Sequence, residues 1–369
     1  MATKEPEIIT DKTQMRNWSR AMRSQGKTIG LVPTMGYLHE GHLSLVKQSH
    51  RHANLTVVSI YVNPGQFSPS EDLSTYPSDF HGDLRKVMSL SKAVDVVFHP
   101  HNLYDYKNNF KNNDVNDSKR SESGNAGSGV VSCVEEKGMG HETWVRVERL
   151  EKGLCGKSRP VFFRGVATIV SKLFNIVEPD FAFFGKKDYQ QFRVIQRMVR
   201  DLDFGIEVIG SEIVRDEDGL ALSSRNVHLS PEEREKALSI NRSLFRARSS
   251  AEKGQINCKE LRDLVIQAIN DAGGRIDYAE ARLETLYTLY GRMKTEPMAP
   301  NVDQSSFLEY AYFKHLTYLL NSTSQIVDQE SLEAMEEIKS PVVFCIAAWF
   351  GKVRLIDNME INIMKHFCN

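Results

Sequence analysis

The alternation of short β-branched runs with helix-period stretches constrains this chain most. Thr28–Thr34 (TIGLVPT), Leu55–Val62 (LTVVSIYV) and Val94–Phe98 (VDVVF) are apolar runs of strand length, each close to a turn signal. Helical stretches at Gly41–Arg51 and about Asp79–Ser91 separate them, and helices at Val161–Val177 and Tyr189–Asp201 flank a further strand at Asp180–Phe184. Continuous apolar strands are buried on both faces, and the helices between them supply the crossovers that parallel strands require. The expected fold is α/β, with a doubly wound parallel sheet over residues 1–213. Beyond Val214 the pattern changes to two helices, Pro231–Lys253 and Lys259–Asp271, and a strand-rich end with Val342–Trp349 and Val353–Ile356 flanking Gly351. This predicts a smaller α+β domain over residues 214–369.

A length of 369 residues sustains two or three domains at roughly 100–200 residues each. With 47 Lys+Arg against 48 Asp+Glu, the chain lacks the global basic footprint of a nucleic-acid binder. No apolar run approaches the ~18 residues that suggest a membrane helix, and the opening MATKEPEIITDKTQMRNWSR has no apolar signal core. The five cysteines are scattered, odd in number and form no CxxC pair. A reduced, cytosolic protein without membrane or nucleic-acid partners is expected. Two segments interrupt the order. Residues Asn108–Gly129 are Asn/Ser/Gly/Lys-rich and predict a mobile polar loop. Residues Ala281–Gln325 carry seven aromatics without a sustained period and two prolines, and read as an atypical insertion into the second domain.

The feature richest in chemistry is Pro33-Thr-Met-Gly-Tyr-Leu-His-Glu-Gly-His42, at the end of the first run and the start of a helix. Ligands of open α/β sheets bind outside the carboxyl ends of the strands, so the position suits a site. Gly36 and Gly41 permit close backbone approach, and the N–H groups of the helix start can face an anion. His39 and His42, three apart, can both face a phosphate and stabilise charge as an anhydride breaks. Taken alone, the same string also suits an N-cap with two exposed histidines. His-Glu-Gly-His is not HExxH and no third ligand accompanies it, so no metal ligands are assigned. A second junction, Phe184-Gly-Lys-Lys-Asp-Tyr-Gln-Gln191, offers Lys186 and Lys187 as point charges for a triphosphate, Asp188 as a helix cap and Gln191 one turn into the helix. Leu222-Ser223-Ser224-Arg225 can close over a polyphosphate. Gln66, after the second run, offers a donor and an acceptor to a small uncharged group.

Together PTMGYLHEGH, YVNPGQF, SRPVFFRGVATIV, FGKKDYQQF and ALSSRN resemble the pantothenate synthetase (pantoate–β-alanine ligase) family in its plant-type form, from about Glu7 to Ile363. The resemblance implies a Rossmann-like, HxGH nucleotidyltransferase-like first domain, a lid-like second domain and a homodimer. It implies ATP-dependent condensation of (R)-pantoate with β-alanine through pantoyl adenylate, with Mg²⁺ and release of AMP and diphosphate, and no tightly bound organic cofactor. By the family's pattern Met35, Gly36, Tyr37, Leu38, His39, Glu40, Gly41 and His42 line the ATP site, with His39, His42 and Lys187 catalytic. Gly185, Lys186, Lys187 and Asp188 hold ATP, Val214 meets adenine through its backbone, and Leu222, Ser223, Ser224 and Arg225 close over phosphate. Gln66 and Gln191 match substrate contacts. Lys186 stands where many bacterial members carry Glu, and Leu222 where Met is also common. The alternatives are another HxGH nucleotidyltransferase and an inactive nucleotide-binding paralogue disrupted by the insertion.

Overall fold

The computed structural model describes residues 5–68, 73–104, 141–277 and 325–362. Strands β1 (Glu7–Ile9), β2 (Ile29–Thr34), β3 (Leu55–Ile60), β4 (Val96–Phe98), β5 (Phe181–Gly185) and β6 (Glu207–Ser211) form one sheet in the order β1-β4-β3-β2-β5-β6. Every pairing in it is parallel. The crossovers run through α1 (Lys12–Ser24), α2 (Glu40–His52), α3 (Phe80–Met88), α5 (Phe162–Val177) and α6 (Tyr189–Asp201), with the short α4 (Cys155–Ser158) preceding α5. Strand β2 is buried at all positions but Pro33, which is why it reads as an uninterrupted apolar run. Helix α1 starts where the Asp11 carboxylate accepts the N–H groups of Thr13 and Gln14, both at 2.8 Å. Buried faces of α2 and α3 pack on the sheet through Leu43, Val46 and Val87 against Val32, Val58 and Val97. The edge strands β1 and β6 and helix α1 were not singled out by periodicity. β1 has three residues and β6 is mostly half-exposed, so neither shows the buried run that marks the central strands.

The chain divides into two compact units, and short segments belong to the unit opposite their sequence neighbours. Residues Arg159–Asp216 and Ala221–Ser224 belong with the N-terminal unit, whereas Lys152–Ser158, including α4, and Glu217–Leu220 belong with the C-terminal one. In the second unit, α7 (Pro231–Glu252) and α8 (Cys258–Asp271) accompany an antiparallel sheet of β7 (Arg275–Ile276), β8 (Gln325–Asp328), β9 (Val342–Phe350) and β10 (Val353–Ile361). Helix α7 begins with Pro231 after a reciprocal cap, in which Ser230 Oγ accepts the Glu233 N–H (3.2 Å) and Glu233 accepts the Ser230 N–H (2.8 Å). The core of this unit gathers Leu244, Ile269, Ile276, Ile326, Phe344 and Phe350.

Strand β10 pairs with β9 along its full length, Val342 to Phe350, so β7 and β8 share the other edge of β9. Ile276 lies opposite Ala348, the Asp277 N–H reaches the Ala347 carbonyl (3.0 Å), and Gln325 lies opposite Cys345. Residues far apart in sequence thus take neighbouring places along one ladder. Gln325, read as the last residue of the irregular segment, is a buried β8 residue; the ladder with β9 outweighs local composition. The rest of Ala281–Gln325 and the whole of Asn108–Gly129 lie outside the described residues. Among the described residues no helix is long and apolar enough to cross a membrane.

Candidate active site

In this sheet the chain runs outward from β2 to β3 and β4, then returns to place β5 on the other side of β2. The crevice beyond the carboxyl ends of β2 and β5 is therefore the topological switch point, where such sheets bind ligands. Three of the sequence-predicted segments leave from these adjacent strands: Met35–His42 follows β2, Gly185–Gln191 spans the end of β5 and the start of α6, and Gln66 follows β3.

The turn after β2 is fixed at nearly every polar atom. Gly36 (φ +89°) and Tyr37 (φ +52°) are successive left-handed residues. A side chain on Gly36 would be strained and would sit 3.1 Å from Asp83 Oδ2. The buried Asp83 carboxylate accepts the N–H groups of Tyr37 (2.7 Å) and Leu38 (2.6 Å), while Lys86 Nζ donates to the Leu38 carbonyl (2.6 Å). Leu38 also buries its side chain in the core, so it lines the crevice with neither a polar backbone group nor its side chain. His39 is the N-cap of α2: its Nδ1 accepts the Gly41 N–H (3.1 Å), and His42 Nδ1 accepts the His39 N–H (3.3 Å). The N–H groups of His42 and Leu43 go to the His39 carbonyl. The helix-start N–H groups, expected from sequence to face an anion, are thus largely engaged inside the protein. Glu40 is exposed and paired with Lys47 at 3.3 Å, and Met35 is half-buried.

The two imidazoles lie with ring centroids 4.1 Å apart. Burial pushes His39 down to about 4, and the Lys187 ammonium adds to the effect. Burial likewise drives His42 well below its ordinary value, with His39 and then Lys187 adding to it. Both rings are therefore neutral at pH 7. A neutral imidazole has one accepting and one donating nitrogen; since each Nδ1 accepts a backbone N–H, each proton sits on Nε2. Among the described residues neither Nε2–H meets an acceptor. Burial also raises the Asp83 carboxyl, opposed by its two backbone donors and by Lys86.

The turn after β5 is looser. Lys187 lies against Asp188 (3.6 Å), and its charge acts on both histidines. Lys186 instead bonds the exposed Glu212 at 2.6 Å, so the predicted lysine pair splits between two directions. Asp188 stands at the N-cap of α6, as sequence suggested, but its carboxylate makes no capping bond; it faces Lys187 instead. In the first turn of α6, Gln190 is tied to the Leu150 carbonyl (2.8 Å), whereas Gln191 is half-buried and carries no hydrogen bond among the described residues. Gln66 is buried in a one-turn helix, Pro64–Gln66, with its side-chain carbonyl accepting from Asn63 Nδ2 (2.8 Å). This leaves its amide N–H₂ as the group to offer. Asn63 is in turn held by Tyr104 Oη (2.8 Å) and donates to the Gly165 carbonyl (3.2 Å). Gly165 lets α5 come so close that a Cβ there would lie 2.0 Å from the Gly65 carbonyl oxygen.

Downstream, the Val214 carbonyl accepts the Leu222 N–H (3.0 Å) and Arg215 bridges to Ala221, so a small hairpin carries Leu222 and Ser223. Leu222 Cβ is 3.9 Å from where a Gly41 side chain would begin, which brings this hairpin to the histidine turn. Ser224 is buried, with Oγ 3.1 Å from Tyr76 Oη. Arg225 belongs to the second unit. Asp83, Lys86, Asn63, Tyr76, Tyr104 and Gly165 support the site and were not found from sequence; Asp79–Ser91 read only as a helix, and the rest were not assigned roles by any motif.

The family description pantoate-beta-alanine ligase matches residues 7–360. The chain is 62% identical to pantoate–beta-alanine ligase of Lotus japonicus over 97% of this chain and 99% of that one, and 61% identical to that of Arabidopsis thaliana over the same shares. A crystal structure of pantothenate synthetase from Thermus thermophilus is similar with a TM-score of 0.68 at 32% identity, covering 96% of this chain and 99% of that chain. Pantoate-beta-alanine ligase from Francisella tularensis, complexed with beta-gamma ATP and beta-alanine, is similar with a TM-score of 0.60 at 26% identity over 96% and 97% of the chains. On a match of this extent to a description that covers both units, the chain belongs to the pantoate–β-alanine ligase family.

Proposed function

We propose that this protein condenses pantoate with β-alanine at the expense of ATP, by way of pantoyl adenylate. The observation that carries the reading is the pair of neutral imidazoles presenting Nε2–H at the switch point, in a chain that belongs to this ligase family along both units. A carboxylate is a poor electrophile, so its oxygen first attacks the α-phosphorus of ATP and diphosphate departs. Negative charge grows on the phosphoryl oxygens in that step. The Nε2–H groups of His39 and His42 stabilise it, and the Lys187 ammonium adds a full positive charge beside them. Neutral rings of low basicity act here as hydrogen-bond donors, not as proton reservoirs. The amine of β-alanine then attacks the acyl carbon, the C–N bond forms, AMP leaves and the amine sheds a proton.

Within this reading Met35, Gly36, Gly41, Gly185, Asp188 and the Val214 backbone N–H line the nucleotide. Ser223, Ser224 and Arg225 close on the phosphates. Gln66 and Gln191 hold the smaller substrates through side-chain amides. Among the described residues no group of three His, Cys, Asp or Glu could hold a metal ion. By the resemblance, Mg²⁺ enters as part of the substrate MgATP, carried on triphosphate oxygens and water. The scattered cysteines support a cytosolic setting, and the resemblance supports a homodimer. The alternatives, a different HxGH nucleotidyltransferase and an inactive paralogue, are not favoured by the family match. Incubation with ATP, pantoate and β-alanine, repeated with each omitted, tests the reading. Diphosphate release is expected to require ATP and pantoate, and pantothenate with AMP to require all three; diphosphate released without pantoate, or no AMP, contradicts it.

A further inference from the structure

Two successive N–H groups at residues of a left-handed turn form a concavity that ordinarily cradles a bound anion. Here the N–H groups of Tyr37 and Leu38 follow the left-handed Gly36 and Tyr37, and the anion they meet is the protein's own carboxylate, Asp83, at 2.7 and 2.6 Å. One turn further along α3, Lys86 takes the Leu38 carbonyl at 2.6 Å and lies 5.4 Å from the Tyr37 ring centroid. Both polar groups of Leu38 are therefore held by one face of α3, in the residue immediately before the His39 cap. From His39 onward the bonds form a chain: Gly41 N–H to His39 Nδ1, and His39 N–H to His42 Nδ1. Among the described residues no other hydrogen bond sets the azimuth of these rings, since neither Nε2–H has a protein partner.

We propose that Asp83 and Lys86 are positioning residues of the adenylation step, holding the Leu38 peptide so that both histidine Nε2–H groups point at the reacting phosphate. Asp83 does not reach the reactants; its carboxylate already takes the N–H groups of Tyr37 and Leu38, so these two donors are not offered to a phosphate. Replacing the carboxylate by an amide keeps its size but sets an N–H₂ against one of the two backbone N–H groups. The turn then shifts, and the rings with it. Misplacement of this kind, remote from the bond being broken, costs up to about 10²-fold in rate.

The proposal rests on the ligase reading, and the test separates the two. Pantoate-dependent diphosphate release is followed in a single turnover at saturating ATP for Asp83→Asn, Lys86→Met and His42→Ala, alone and combined. Asp83→Asn is expected to slow the turnover about 10-fold or more with full amplitude, and Lys86→Met less. Added to His42→Ala, either should cost less than about 2-fold further, because residues acting through one another are not additive. Reduced amplitude at an unchanged rate, or losses that multiply in the His42→Ala background, overturns the proposal and leaves Asp83 with a folding role only. If the unmodified protein releases no diphosphate, the ligase reading fails instead. The ¹⁵N shifts of the His39 and His42 rings in Asp83→Asn then judge the positioning claim, which an unchanged spectrum overturns.

Discussion

The two turns that meet at the switch point are built differently. After β2, two left-handed residues, a buried carboxylate, a lysine and two reciprocal histidine caps engage almost every backbone polar group before the site is reached. After β5, Gly185 is extended with open space around it, Asp188 caps nothing, and Gln191 has no hydrogen bond among the described residues. The contrast matches the work assigned to each. Donors that stabilise charge only in the transition state gain from being fixed beforehand, because no reorganisation is then required as charge appears. A lysine acting as a point charge, and an amide meeting a small substrate, tolerate freedom.

The sharpest way to break the comparison is His42→Ala. It removes one fixed donor and, with it, the acceptor of the His39 N–H. Adenylate formation is expected to fall about 10²-fold or more, on the scale of one lost preorganised contact. An unchanged single-turnover rate at saturating ATP would show that the rigid turn is not where charge is stabilised.

A smaller effect distinguishes the turns by stability alone. Gly36→Ala forces a side chain into φ +89° and against Asp83, and should destabilise the fold by about 1–2 kcal/mol or more. Gly185→Ala enters open space at φ −76°, and should change stability by less than about 1 kcal/mol, in the stabilising direction. Thermal unfolding of the two variants side by side checks both values. Equal losses would mean that the β5 turn is as constrained as the β2 turn.

Sequence made the central parts of this architecture legible. The runs at β2, β3 and β5 are buried on both sides and show it in composition, and the starts of α7 and α8 carry ordinary helix signals. His39, His42 and Lys187 were visible because their types and spacing suit phosphate chemistry. Their support was not. Asp83 follows His39 by more than forty residues, in a first helical turn where an acidic residue is already explained by the helix dipole. Asn63 and Gly165 act through a contact between segments far apart in sequence. The helix-start N–H groups looked available from sequence, because only the fold reveals that side chains already accept from them. β8 was partly missed for the same reason: Gln325 pairs with a strand that begins at Val342, and its own neighbours give no period.

The central claim is that His39 and His42 are neutral at working pH with the proton on Nε2. A ¹⁵N-detected titration of the ring nitrogens measures it directly. The folded chain holds His39 near 4, whereas an unfolded chain titrates near the ordinary 6.5. As pH falls below that ordinary value the unfolded state takes up the proton first, so the stability this ring contributes is present above about 6.5 and is lost toward about 4. The account predicts Nε2–H tautomers for both rings at pH 7, with protonation of either only well below the ordinary value of about 6.5. An Nδ1–H tautomer in either ring, or a protonation midpoint near the ordinary value of about 6.5, would contradict it.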